Sequence, residues 1–361
     1  MDTTKIKQTA NILNEIGSDG WLLYSFDRLN PISEKITGFK DASRRWFCLI
    51  TKEGAVKVLC QSIEQGYFKQ FGLPYENYAS QEEMYQKLEI LLEGMQTLHM
   101  EYSPKCEIPY ISKVDAGTIE LIKSVSTPKL AILSSAPLVQ YMLSTWGDEG
   151  IASHKTTIAH LHEIITLAWE EISRDIHEHG ISDEYKIQSL ISNEFIKRNL
   201  STNHPPIVAA GKNSADAHYC PTKEFSSAIK KDEVVMIDLW AIENGNPDAV
   251  YGDITWMGYT GGAVPEEIQK TWELLKQARD AGIALLKATL PKKIMGWEID
   301  AAVRVIIKNA GYGEYFTHRT GHSIAHELHA EGVNMDNFEL KDTREIIPDC
   351  GFSIEPGIYI P

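Results

Sequence analysis

Cysteine is scarce in this chain and never clustered. Cys48, Cys60, Cys106, Cys220 and Cys350 are odd in number and scattered, with no C-x-x-C pair. That argues against a disulfide framework and makes a reducing cytoplasm the expected compartment. No run of 18 apolar residues occurs, so no membrane span is expected. Met1 to Gly17 lacks a basic stretch followed by an apolar one, and reads as an amphipathic helix rather than a signal peptide. Positive charge is in deficit: 35 Lys and Arg stand against 50 Asp and Glu, a formal charge of -15. That balance argues against a nucleic-acid or anionic-membrane partner recruited by bulk charge. Internal repeats and low-complexity tracts are absent as well.

What is present reads as two globular domains, a fair expectation for 361 residues. Residues 1–149 alternate short elements in an α/β pattern. Helical spacing marks Ile6–Ile16, Tyr85–Met95, Ala116–Ser124 and Pro137–Trp146, the last with proline in its first turn. Strand-like runs mark Gly20–Phe26, Arg45–Ile50, Ala55–Cys60, Leu98–Tyr102 and Lys129–Leu133. Two glycines flanking two acids, Gly147-Asp148-Glu149-Gly150, suggest the boundary. Residues 150–361 then carry long amphipathic helices over Thr156–His177, Tyr185–Leu200, Ala263–Leu290 and Trp297–Ala310. Strands are expected at Ile207–Ala210, Val234–Ile242, Val250–Gly258 and Gly351–Ile354. The whole is an α+β protein.

The second part also holds carboxylates inside apolar strands. Asp238 lies within Val234–Trp240, where a lone carboxylate is costly unless a partner or metal neutralises it. Alone it could equally be a strand-end residue facing solvent. Asp253 could be a turn acid, since Asn244-Gly245-Asn246-Pro247-Asp248 makes a turn upstream. A hairpin across that turn sets the two acids side by side, and close carboxylates repel unless a cation sits between them. Downstream, His318, His322 and His329 gather, and Glu355 follows. Any single histidine is more often an ordinary hydrogen-bonded residue; three together reverse that bet for His322. Gly321 before it leaves room for the backbone to approach an ion. Asp, Asp, His and Glu offer one nitrogen and several oxygens, which suits Mn, Co, Fe or Zn in a hydrolytic centre. His326-Glu327-Leu328-His329 is one residue short of the zinc-protease motif H-E-x-x-H, so that reading is rejected and His326 is expected to be exposed.

Ile237-Asp238-Leu239, Gly252-Asp253-Ile254-Thr255, His318-x-x-Gly321-His322, His329 and Ile354-Glu355-Pro356-Gly357-Ile358-Tyr359 together resemble the pita-bread metallopeptidases. The likeness is to the Xaa-Pro aminopeptidase and prolidase branch of the superfamily that includes methionine aminopeptidase and creatinase. Gly211–His218 resembles that branch's segment with a substrate-pocket histidine. The resemblance implies a C-terminal pita-bread catalytic domain behind a smaller creatinase-like domain. It implies two divalent ions, with manganese first in expectation. Asp238 would chelate the first ion, Asp253 would bridge, and His322 and Glu355 would bind the second. His318 and His329 would steady the tetrahedral intermediate, His218 would line the pocket, and Glu355 would also shuttle a proton. Short peptides with proline after the cleaved bond are the implied substrates, and a homodimer the implied assembly. The family pattern continues past the segment that ends here at Pro361 with a strand bearing one more bridging glutamate; its absence leads to an expectation of weakened metal binding. Ala325 stands where the family usually has glycine, and residues 239 to 252 form a longer hairpin than usual. Two other readings are a creatinase-like non-peptidase hydrolase or lyase, and a peptide-binding module with impaired catalysis.

Overall fold

The computed structural model describes residues 3–360. The chain divides into two compact units, Met1–Leu143 and Ser144–Pro361. The division falls before the expected glycine boundary. Gly147 instead caps a helix, and Asp148, Glu149 and Gly150 form that helix's first turn.

The first unit runs α1 (Thr3–Glu15), β1 (Gly20–Ser25), α2 (Pro31–Thr37), β2 (Trp46–Thr51), β3 (Val56–Gln61), α3 (Gln65–Lys69), β4 (Tyr75–Tyr78), α4 (Gln81–Leu91), β5 (Thr97–Met100), α5 (Ala116–Val125), β6 (Ala131–Ser134) and α6 (Ala136–Leu143). Its six strands form one mixed sheet in the order β4-β3-β2-β1-β5-β6. Helices cover both faces, which is why the central strands read as continuous apolar runs rather than alternating ones. Trp21, Leu23, Trp46 and Cys48 point to a core shared with α1, α2 and α6. Leu22, Tyr24, Phe47 and Leu49 point to a second core under α4 and α5. Helix α4 starts four residues earlier than its apolar spacing suggested, because Ser80 caps it by accepting from the Glu83 amide. The N-terminal helix begins at Thr3; Met1 and Asp2 lie outside the described residues.

The second unit runs α7 (Asp148–His179), β7 (Ile181–Asp183), α8 (Glu184–Lys197), β8 (Leu200–Ser201), β9 (Ile207–Ala210), β10 (Ala228–Lys230), β11 (Val234–Glu243), β12 (Gly252–Tyr259), α9 (Glu266–Thr289), α10 (Gly296–Asn309), β13 (Ser323–Ile324) and β14 (Gly351–Phe352). β11 lies between β9 and β12, antiparallel to both. Strand periodicity then sorts its side chains. Val235, Ile237, Leu239 and Ala241 enter the core beneath α7 and α8. Met236, Asp238 and Trp240 must therefore point to the opposite face. Helices α9 and α10 pack closely where Gly282 meets Val303; a Cβ on Gly282 would fall 2.8 Å from the valine Cγ2. The expected strand at Gly351–Ile354 is shorter, ending at Phe352.

Candidate metal centre

The β11–β12 register decides what the two aspartates can share. Asp238 pairs across from Thr255, and Asp253 pairs across from Trp240. Directly opposed residues share a face, so Asp238 and Asp253 stand on one face, diagonally offset. Thr255 Oγ1 donates to Asp238 Oδ1 at 2.8 Å.

Glu355 arrives from far along the chain. It lies past β14, in an extended segment tied to the histidine loop by three backbone-directed bonds. The Glu355 amide donates to the Thr320 carbonyl at 2.8 Å, and the Ser353 amide to the His322 carbonyl at 2.9 Å. The His322 amide donates to Ser353 Oγ at 3.0 Å, whose own proton goes to Glu355 Oε1 at 2.7 Å. Gly321 sits within this ladder. Sequence reasoning expected its bare backbone to approach an ion; the structure shows it approaching the Ser353 carbonyl, where a Cβ would fall 1.9 Å from the oxygen.

Asp253, His322 and Glu355 bring donor atoms within 4.8 Å of one another. His322 Nε2 lies 3.3 Å from Asp253 Oδ2 and 3.1 Å from Glu355 Oε1. Asp238 falls outside that mutual spacing but acts on the group electrostatically. Burial and the neighbouring Asp253 and Glu355 charges push its carboxyl well above the usual range. Burial likewise raises Asp253. Glu355 goes the other way: burial opposes ionisation, but His322 and Ser353 hold it below the ordinary range. Burial also disfavours a charged His322, yet hydrogen bonds to Asp253 and Glu355 push it up to about 10. One imidazole nitrogen aimed at two carboxylate oxygens demands a positive centre between them. A proton fills that need here, and a divalent cation fits the same donor set.

The other histidines surround this group. His318 Nδ1 donates to the Arg319 carbonyl at 2.6 Å, so Nε2 accepts from the Tyr359 hydroxyl at 2.9 Å. His329 stands edge-on to His322, ring centroids 4.3 Å apart. Partial burial and the cationic His322 and Arg319 push it down to about 4, leaving it neutral at physiological pH. Among the described residues neither His329 nitrogen has a hydrogen-bond partner. His218 is exposed, near enough to His329 to act on it electrostatically. Its loop is anchored by Glu184, a buried carboxylate accepting from Ala210 N, Asn213 Nδ2, Tyr219 Oη and Ser227 N. His326 is exposed as expected, its Nδ1 donating to the Ala249 carbonyl at 2.6 Å. Sequence reasoning missed Ser353 and Tyr359 as site residues, although Tyr359 ends the motif around Glu355 and Ser353 immediately precedes it. Only a fold could show that their hydroxyls face Glu355 and His318.

A hairpin carrying two carboxylates, facing a histidine loop laced to a glutamate segment, defines a hydrolytic metal-centre type of site. The sequence matches metallopeptidase family M24 over residues 156–361, and the chain belongs to that family. It is 28% identical over 197 residues to a Xaa-Pro dipeptidase of Lactobacillus delbrueckii subsp. lactis, covering 54% of this chain and 48% of the relative. The chain thus spans about half the length of the curated relatives it matches. The prolidase of Pyrococcus horikoshii shares the fold at TM-score 0.60 and 23% identity, over 99% of this chain and 91% of that one. Dipeptidase PepE of Mycobacterium ulcerans does so at TM-score 0.68 and 18% identity, over 100% and 91%. No helix among the described residues is long and apolar enough to cross a membrane.

Proposed function

We propose that this chain hydrolyses peptide bonds close to a free N-terminus, with proline following the cleaved bond, using divalent metal. The observation that carries the reading is the convergence of Asp253, His322 and Glu355 within 4.8 Å, with Asp238 beside them. Membership of metallopeptidase family M24 and the likeness to a Xaa-Pro dipeptidase support it. Asp238 and Asp253 would hold a first ion, and Asp253, His322 and Glu355 a second. An oxygen-rich set with one imidazole favours manganese. When bound, such ions supply Lewis acidity and an acidified water.

The chain's own groups do the rest. Glu355 takes a proton from the attacking water and returns it to the leaving nitrogen, helped by Ser353, which fixes its Oε1. Neutral His329 offers an N–H to the developing oxyanion. His318 has both nitrogens committed, to Arg319 and Tyr359. It holds the Tyr359 ring against the site, and its Nε2 donates only on gaining a proton. His218, on the Glu184-anchored loop, borders the substrate. The five free cysteines support a reducing, cytoplasmic setting.

The test is hydrolysis of a Xaa-Pro dipeptide and of a longer Xaa-Pro-Xaa peptide by chelated and manganese-supplemented protein. Metal-dependent cleavage is expected, and preference for the shorter or longer peptide separates dipeptidase from aminopeptidase action. Failure to cleave either with any divalent metal overturns the assignment.

A further inference from the structure

The histidine loop, residues 316–322, has no regular secondary structure, so its backbone polar groups need partners from elsewhere. They find them on α10. Asp300 and Arg304, four residues apart, present on one face of that helix. Asp300 is fully buried, and Arg304 grips it twice: Nε to Oδ2 at 2.9 Å and Nη2 to Oδ1 at 3.0 Å. The guanidinium continues into the loop, donating to the Phe316 carbonyl at 3.0 Å and the His318 carbonyl at 2.8 Å. Asp300 Oδ1 accepts from the Thr320 amide at 2.8 Å and the Thr320 hydroxyl at 2.7 Å. Its Oδ2 also takes the Asn337 amide at 3.1 Å. Phe316 and Phe338 lie against the guanidinium, with centroids 4.0 and 4.5 Å from its carbon.

We propose that Asp300 and Arg304 are positioning residues that fix the histidine loop, through Phe316, His318 and Thr320, so that His322 meets Glu355. Three alternate residues of the loop are pinned, and the last of them passes the constraint on. The Thr320 carbonyl accepts the Glu355 amide, so a shift at Thr320 moves both candidate ligands at once. Neither member of the pair touches the cluster itself. The Arg fork is needed because one group must reach a carboxylate and two carbonyls; an ammonium on a flexible stem cannot span all three.

The inference rests on the metal reading above, and the experiment separates the two. Manganese affinity is measured by calorimetry on the full chain and on Arg304→Lys, Asp300→Asn and Thr320→Val, with metal-free melting temperatures alongside. Supporting residues of this kind cost about 10- to 100-fold in metal affinity when removed. Arg304→Lys and Asp300→Asn should weaken manganese by that factor beyond any loss of folded fraction. Thr320→Val deletes only one hydroxyl bond to Asp300; it serves if the charged-pair variants do not fold, and a several-fold loss of affinity at an unchanged melting point is expected. Wild-type affinity in folded variants overturns the positioning role alone. Absence of manganese binding by the unmutated chain overturns the metal reading, and the clamp is then judged by proton NMR. There, ring signals of His318 and His322 should shift in metal-free Arg304→Lys; unshifted signals overturn it.

Discussion

Gly321→Ala is the smallest change that should dismantle the site. The added Cβ would lie 1.9 Å from the Ser353 carbonyl oxygen and 2.7 Å from its carbon, both backbone atoms. Real contacts of this kind open to at least 3.0 Å, so the two segments must separate by roughly 1 Å. That separation strains the ladder on either side: Glu355 N to Thr320 O, Ser353 N to His322 O, and His322 N to Ser353 Oγ. At about 1 kcal/mol net for each bond, losing all three destabilises by about 3 kcal/mol. The larger effect is on chemistry. Glu355 is two residues from Ser353, and its 3.1 Å approach to His322 does not survive a displacement of that size. A misplacement of about 1 Å costs on the order of 100-fold in rate. The assay pairs manganese calorimetry with peptide hydrolysis, using Gly262→Ala as control, since a Cβ there meets nothing within 4 Å. Gly321→Ala with affinity and rate within a factor of about 3 of the control would refute the ladder as the device that assembles the site.

His329→Ala should lower kcat by about 100- to 1000-fold while leaving manganese affinity nearly unchanged, as expected for loss of one donor to an oxyanion; an unchanged kcat in steady-state kinetics removes His329 from that role. In the first unit, Asp19 is pulled down to about 2 by the Lys52 side chain at 2.8 Å and by the Gln96 and Thr97 amides. Its folded pKa lies below its unfolded one, so its stabilisation is complete above about pH 4 and is lost as pH falls toward 2. The melting-temperature gap between the chain and Asp19→Asn should therefore narrow across that window; a gap that is flat with pH contradicts the assignment.

Much of the fold was legible because it rests on periodicity. Five of the first unit's six strands show as strand-like runs, and α7, α8 and α10 as stripes; β4, with the sequence Tyr-Glu-Asn-Tyr, carries no such signal. The Asp238–Asp253 hairpin was readable from two strands around a turn, and the structure adds the register that opposes Asp238 to Thr255. Less legible was Gly147–Gly150, whose glycines suggest a boundary but whose acids suit a helix N-terminus, which is where they stand. Gly321 signalled a close approach without revealing to what. Asp300 and Arg304 carry no motif at all: their partners lie 12 to 37 residues away, and their spacing is ordinary for a helix ion pair.

The sequence by itself determined which residue types this protein has for binding a cation, because carboxylates in apolar strands and histidines in a cluster are costly without one. Tertiary structure alone decided how they meet. Asp253, His322 and Glu355 close to within 4.8 Å while Asp238 lies outside that spacing, and His318 turns to Tyr359 while His329 faces the cluster. The reason is physical. Strand and helix periodicity is written in neighbouring residues, whereas an irregular loop takes its position from distant buried charges and carbonyls that satisfy its backbone.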